Sequence, residues 1–206
     1  MRCAGVVVLA ALLGGCVFRA ADAPRYYRPD SAALSAEVPA DATASATAIR
    51  LRAVRARPFL RERIVWRTES EYGMYEQRRW SELPEAYAER ALVSALRSTS
   101  DVSITDDANV PALNAEVVAF DEVLSPAHVA NVAIAVSLTG AGFHHVLERT
   151  FSVETPIADG DPRSLARAIG AALDDVTAQV ARAVLTSLAS VKPRSPAHTR
   201  RRGTRG

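Results

Sequence analysis

The chain has 206 residues, 49% of them hydrophobic and 23% charged, with a mean hydropathy of +0.02. That balance suits one globular domain with an appendage and excludes collagen-like, repeat-built and wholly disordered chains. The formal charge of +2 hides an asymmetry: Lys192, Arg194, Arg200, Arg201, Arg202 and Arg205 crowd the C-terminal tail, where no acid stands, while residues 16–191 have a balance of about −5, which argues against a folded nucleic-acid-binding surface.

The cysteines, Cys3 and Cys16, both stand near the start. The body that follows therefore has no disulfide, no thiolate metal site and no cysteine nucleophile. Arg2 precedes an apolar and small-residue run from Ala4 to Gly15. The run is shorter than the roughly 20 residues a membrane-spanning helix needs, and it has the form of the apolar region of a secretory signal. Leu13-Gly14-Gly15-Cys16 resembles the bacterial lipobox, which implies that Cys16 is lipidated on its thiol and becomes the N-terminus. Val17 follows in place of the aspartate that retains lipoproteins at the inner membrane, so the resemblance implies the periplasmic face of the outer membrane. Several acyl chains at one residue suffice for stable anchoring.

Arg25-Tyr26-Tyr27-Arg28 is read as a short strand tying the tether to the domain, and the Ala/Ser/Thr/Asp/Pro-rich residues 30–48 as a linker or long surface loop. Ile49, Leu51 and Ala53 alternate with arginines; Val54 and Ala56 then continue in the opposite phase, the signature of a β-bulge. Arg63–Thr68 and Tyr72–Gln77 predict a hairpin turning near Glu71. Ser81 is the expected cap of a helix over 82–98 whose apolar face is Leu83, Tyr87, Ala91, Leu92 and Ala95. A short strand follows at 101–105. Three alternating segments, 112–124, 128–139 and 144–155, predict a half-solvated antiparallel meander. Asp161-Pro162 then opens a long helix, with Leu165, Ile169, Leu173, Val176, Val180 and Val184 at spacings of three and four, to about Ala189. The expected fold is α+β: a two-layer sandwich with a largely antiparallel sheet and two helices packed on one face.

Taken in order, the lipobox, Tyr26-Tyr27, the arginine-rich first strand, PFLRERIVWR (58–67), the tyrosine-containing hairpin and Trp80 opening a helix with Leu83 and Pro84 resemble the ABC-type transport auxiliary lipoprotein family, companions of MCE-domain lipid transporters. The second half agrees, with a Phe120-Asp121 strand, a long hairpin, an Arg149-Thr150-Phe151 strand ending near Pro156 and a long last helix. The sequence departs from the family at Pro29, where an aliphatic residue is usual, and near Leu188, where a tryptophan is usual. The resemblance implies a periplasmic, non-enzymatic component that docks on an MCE-domain protein and its ABC permease/ATPase complex to traffic lipid between inner and outer membranes.

Alternative chemistry finds little support. His144 and His145, adjacent on a strand, point to opposite faces and cannot chelate one metal together; His145 shares parity with Leu147, Phe151 and Val153 and is expected on the core side. Gly140-Ala141-Gly142 reads as a hairpin turn, since no helix follows it. Asp106-Asp107, Asp121-Glu122 and Asp174-Asp175 read as solvated surface. No nucleotide-binding or nucleophile-elbow motif occurs, so the expectation is no enzyme and no cofactor.

The expected organisation is a signal peptide at 1–15, a lipidated N-terminus with short strand and linker at 16–48, the α+β domain at 49–190 and a disordered basic tail at 191–206. The tail could also adhere to anionic lipid. Cys16 is the lipidation site. Arg50, Arg52, Arg63, Arg67, Tyr72 and Tyr75 are the candidate partner-docking residues, since arginines beside aromatic anchors suit an interface as well as a solvated face. The competing reading is an outer-membrane assembly or envelope-structural lipoprotein.

Overall fold

A computed structural model describes residues 22–36, 46–140 and 145–191. The expected signal peptide, Cys16, residues 37–45 of the expected linker, His144 with the turn around it, and the basic tail from 192 on lie outside the described residues. In chain order the elements are β1 (Arg25–Tyr27), α1 (Ala32–Ser35), β2 (Thr47–Leu51), β3 (Arg55–Ala56), β4 (Arg63–Arg67), β5 (Tyr72–Trp80), α2 (Pro84–Arg97), β6 (Val102–Ile104), β7 (Ala112–Val123), β8 (Val129–Thr139), β9 (His145–Pro156) and α3 (Pro162–Val191).

The expected meander is present. β7, β8 and β9 pair antiparallel along their lengths, with Ala115 opposite Val136 and Ile134 opposite Phe151. The rest of the sheet corrects the expectation of a largely antiparallel arrangement, because the free edge of β7 is occupied end to end by β2, β3 and β4, all parallel to it. β6 adds to β2 and β1 adds to β5, also in parallel, while β4 and β5 form the expected antiparallel hairpin. The result is a mixed nine-stranded sheet. Alternation in a sequence reports which face a residue takes and not the direction of its neighbour, so the parallel edge is silent at that level. The phase change after Ala53 is real: Leu51 sits opposite Leu113 and Arg55 opposite Glu116, so the β2–β3 side holds one residue more than β7 over the same stretch.

The core lies between the sheet and the two long helices. Leu113, Val117 and Phe120 of β7 share a face with Val132, Ile134 and Leu138 of β8, and all are fully buried. Against them α3 sets Leu165, Ile169, Leu173, Val176, Val180 and Val184, one stripe at helical spacing, and α2 sets Tyr87, Ala91, Leu92 and Leu96. Trp80 closes β5 instead of opening a helix; its ring meets Phe120 edge-on at 5.3 Å, and Tyr87 stacks on the same Phe120 at 6.3 Å. α2 begins at Pro84 with no side-chain cap. Ser81 is engaged instead by the Tyr87 hydroxyl, 2.8 Å away, and Leu83 turns out to solvent. α3 starts as expected, the Asp161 carboxylate accepting from Arg163 N–H at 2.9 Å.

Part of the expected linker belongs to the folded body. Ser31 is buried, and its hydroxyl donates to Asp174 Oδ1 of α3 at 2.6 Å while accepting from Leu34 N–H at 3.1 Å. The same carboxylate accepts from Ala32 N–H at 2.8 Å and Ala33 N–H at 3.1 Å. A third helix, α1, is thereby capped and rests on α2 and α3. Ala- and Ser-rich composition described the segment as a linker; a carboxylate far along the chain makes it a helix.

Candidate partner-docking face

The helices cover one face of the sheet and leave the other open. Onto the open face β7 projects Asn114, Glu116 and Asp121, β8 projects Asn131, Ala135 and Ser137, and β9 projects Glu148, Thr150, Ser152 and Glu154. These side chains are mostly polar, and some bond to one another: Asn114 Nδ2 donates to Ser137 Oγ at 3.2 Å and Ser152 Oγ to Asn131 Oδ1 at 3.0 Å. Three cavities, of about 350, 470 and 480 Å³, open on it.

The six candidate docking residues do not form one surface. Arg50 and Arg52 line a cavity at one end of the open face. Arg63 is exposed on β4 opposite Arg79. Arg67 donates through Nε to Asp121 at 2.6 Å and lies 3.7 Å from Glu154. Tyr75 hydrogen-bonds Glu122 at 2.8 Å under the Arg78 guanidinium, which lies 4.2 Å over its ring. Tyr72 is 66% exposed and borders the third cavity.

That third cavity is the apolar part of the face. Phe59 meets Tyr72 edge-on at 5.8 Å, and Met74, also exposed, and Val65 complete a patch beside Arg57. Gly73 stands between Tyr72 and Met74 with the Trp66 indole packed where a side chain would be: a Cβ there would lie 2.1 Å from Trp66 Cζ2. Tyrosine, phenylalanine, methionine and arginine are the residues that protein interfaces favour, and here they border one cavity, with Tyr72 and Met74 exposed and Phe59 half-buried. Of this patch the sequence reading singled out Tyr72 alone; Phe59 and Met74 become candidates only when the parallel β3–β4 edge brings them beside it.

Asp121 and Glu122 correct the expectation of a solvated pair. Asp121 is 2% exposed and Glu122 5% exposed, on opposite faces of β7. Asp121 is held by Arg67 and by Asn131 Nδ2 at 3.4 Å; burial pushes its carboxyl above the ordinary range, outweighing the pull of Arg67. Glu122 accepts from Tyr75 and has His128 Nε2 2.7 Å from its other oxygen. Burial, then the bond to Glu122, pushes the Tyr75 hydroxyl up to about 12. The available signal was two acids inside an apolar strand, VVAFDEVL, where a buried charge must find a partner. His145 is also corrected. A register shift between Leu138 and Thr139 reverses its parity, so it is exposed on the open face instead of the core side.

The sequence model of the ABC-type transport auxiliary lipoprotein component matches residues 31–181. The chain belongs to that family. The match spans α1 through most of α3, so it includes the docked N-terminal segment and the whole open face. Solved structures share this fold. Protein XCC0632 from Xanthomonas campestris, of family DUF330, superposes with a TM-score of 0.68 at 19% identity, covering 81% of this chain and 98% of its own. An uncharacterized protein of known structure gives 0.63 at 14% identity, covering 79% and 99%. No curated protein matches. Among the described residues no helix is long and apolar enough to cross a membrane.

Proposed function

We propose that this chain is the non-enzymatic auxiliary component of an MCE-type ABC transport system that moves lipid between inner and outer membranes, and that lipid on Cys16 holds it at the periplasmic face of the outer membrane. Family membership supports the association with an ABC transport system, and the lipobox-like LGGC supports the anchor. The observation that carries the docking role is the patch of exposed Tyr72 and Met74 beside half-buried Phe59 on the helix-free face. It is apolar and bordered by Arg57, on a surface whose other side chains are mostly polar.

The docked N-terminal segment adds a distance. β1 begins at Arg25, so only the residues after Cys16 and before Arg25 can act as a leash. At about 3.3–3.6 Å per extended residue they reach about 30 Å. An anchored body would thus stay close to the membrane, with any partner brought to it.

Envelope membranes carrying tagged chain, solubilised in mild detergent, provide the test. The MCE-domain protein and permease are expected to co-purify with wild type and to be lost with Tyr72→Asp/Met74→Asp, while a palmitate analogue labels wild type and not Cys16→Ala. Recovery of neither subunit with wild type would overturn the partner, and equal labelling would overturn the anchor.

A further inference from the structure

The open face ends, beside the β2–β7–β8 rows, in a cavity of about 480 Å³. Its polar wall is made by Arg50 and Arg52, Asn109, Asn114, Thr139 and His145. The charge there has one sign, since two arginines line the cavity and no carboxylate does. The neighbouring cavity shares Asn114 but is balanced, Arg55 and Arg149 standing with Glu116 and Glu148. Asp107, in the loop before β7, is engaged by the backbone and side-chain N–H groups of Asn109.

Arg50 supplies a second observation. Its Nε is buried without a hydrogen-bond partner among the described residues, and no ion pair joins either Arg50 or Arg52 to an acid among them. Buried polar groups in folded proteins are nearly always satisfied, and a cationic donor is the costliest to leave unmet. The backbone amides of both residues are fixed, Arg50 N–H to Pro111 O at 2.8 Å and Arg52 N–H to Leu113 O at 2.9 Å. They stand two residues apart along an extended chain, about 7 Å, on one face. Two planar guanidinium groups lining one cavity suit the oxygens of a phosphate, which arginine binds bidentately. The volume lies in the range of small-ligand sites, with room for more than a bare ion.

We propose that this cavity is an anion site for a phosphate group, carried by a lipid headgroup or present as free phosphate. The proposal does not depend on the transport role or on the Phe59–Tyr72–Met74 patch. The full chain is titrated separately with inorganic phosphate and with phosphatidylcholine vesicles containing phosphatidylglycerol, against pure phosphatidylcholine vesicles. Wild type is compared with Arg50→Gln, Arg52→Gln and the double variant, all carrying the same basic tail, so tail binding cancels. The expected result is binding of at least one probe, weakened about tenfold or more by each substitution, the scale of one lost charge-assisted bond. Loss of phosphate binding alone identifies free phosphate as the ligand; loss of phosphatidylglycerol-vesicle binding alone identifies the headgroup. Equal binding by wild type and double variant, or no binding of either probe by wild type, overturns the site. Arg52 is exposed, so Arg52→Gln with His145→Gln carries the test if Arg50→Gln fails to fold.

Discussion

Ser31 and Asp174 are 143 positions apart, and the Ser31 hydroxyl lies 2.6 Å from the Asp174 carboxylate. With the Ala32 and Ala33 amides on the same carboxylate, one side chain of α3 satisfies donors that a single-turn helix could not satisfy alone. Asp174→Ala is therefore expected to release residues 30–36 without unfolding the sheet. The cost should be about 1–3 kcal/mol, the scale of hydrogen bonds to a charged group. Hydrogen exchange at the Ala32–Leu34 amides measures it directly. Asp175→Asn, at an exposed neighbouring position, should leave those amides protected; loss of protection there as well would count against the specific role of Asp174.

The same docking needs Gly170. An added Cβ would sit 2.0 Å from the Asp30 carbonyl oxygen, and the Asp30 amide donates to Ala166 O at 3.1 Å, so the segment lies directly on the helix backbone. In an unencumbered helix interior Gly→Ala stabilises by about 1 kcal/mol. Here the sign should reverse, with Gly170→Ala costing about 1–3 kcal/mol as an overpacked contact. Urea unfolding reads the sign, and a more stable variant would show that Asp30 does not sit on Gly170.

These two contacts mark the limit of what local pattern encodes. The alternation of Ala130, Val132, Ile134, Val136 and Leu138 placed β8 and its faces, and the stripe from Leu165 to Val184 placed α3, because each is a short-range periodicity that one buried face imposes. Asp174 as partner of Ser31 and Asp121 as partner of Arg67 lie dozens of residues away and leave no such trace. His145 was misplaced because one bulge inverts every parity beyond it. Of the candidate face, Arg50, Arg52 and Tyr72 were legible as residue types, but their separation into a basic cavity and an apolar patch depends on β2, β3 and β4 lining up along β7.

Asp121 makes a pH prediction of unusual sign for a carboxylate. Its pKa is raised above the ordinary 3.8 in the fold, chiefly by burial, so the folded chain binds the proton more tightly than the unfolded chain does. The stability Asp121 contributes is fully present below the unfolded pKa and is lost as pH rises through the folded one. Relative to Asp121→Asn, the wild-type chain should thus lose stability as pH rises from about 4 through that raised value, and the difference should be flat above it. Urea midpoints for both chains across this range give the slope. A wild type that instead gains on the variant would mean that Arg67 dominates and holds the carboxylate ionised.

Gly73 ties the fold to the docking patch. It stands opposite Trp66 in the β4–β5 register, and the indole occupies the space of its missing side chain, with Cζ2 at 2.1 Å and Cε2 at 2.3 Å from where a Cβ would be. Glycine weakens an ordinary strand, so alanine would normally help; here Gly73→Ala must displace the ring and should cost about 1–3 kcal/mol. Trp66 emission should shift to the red as the indole enters water, while Trp80, 1% exposed against Phe120, keeps its environment. Trp66→Val removes the obstacle, so adding Gly73→Ala to it should be nearly neutral, giving a coupling energy as large as the single-variant loss. Additive losses in the double variant would place the strain elsewhere in β5. Because Tyr72 and Met74 flank Gly73 on the open face, the same substitution should also weaken partner capture, and the Trp66→Val background should restore it.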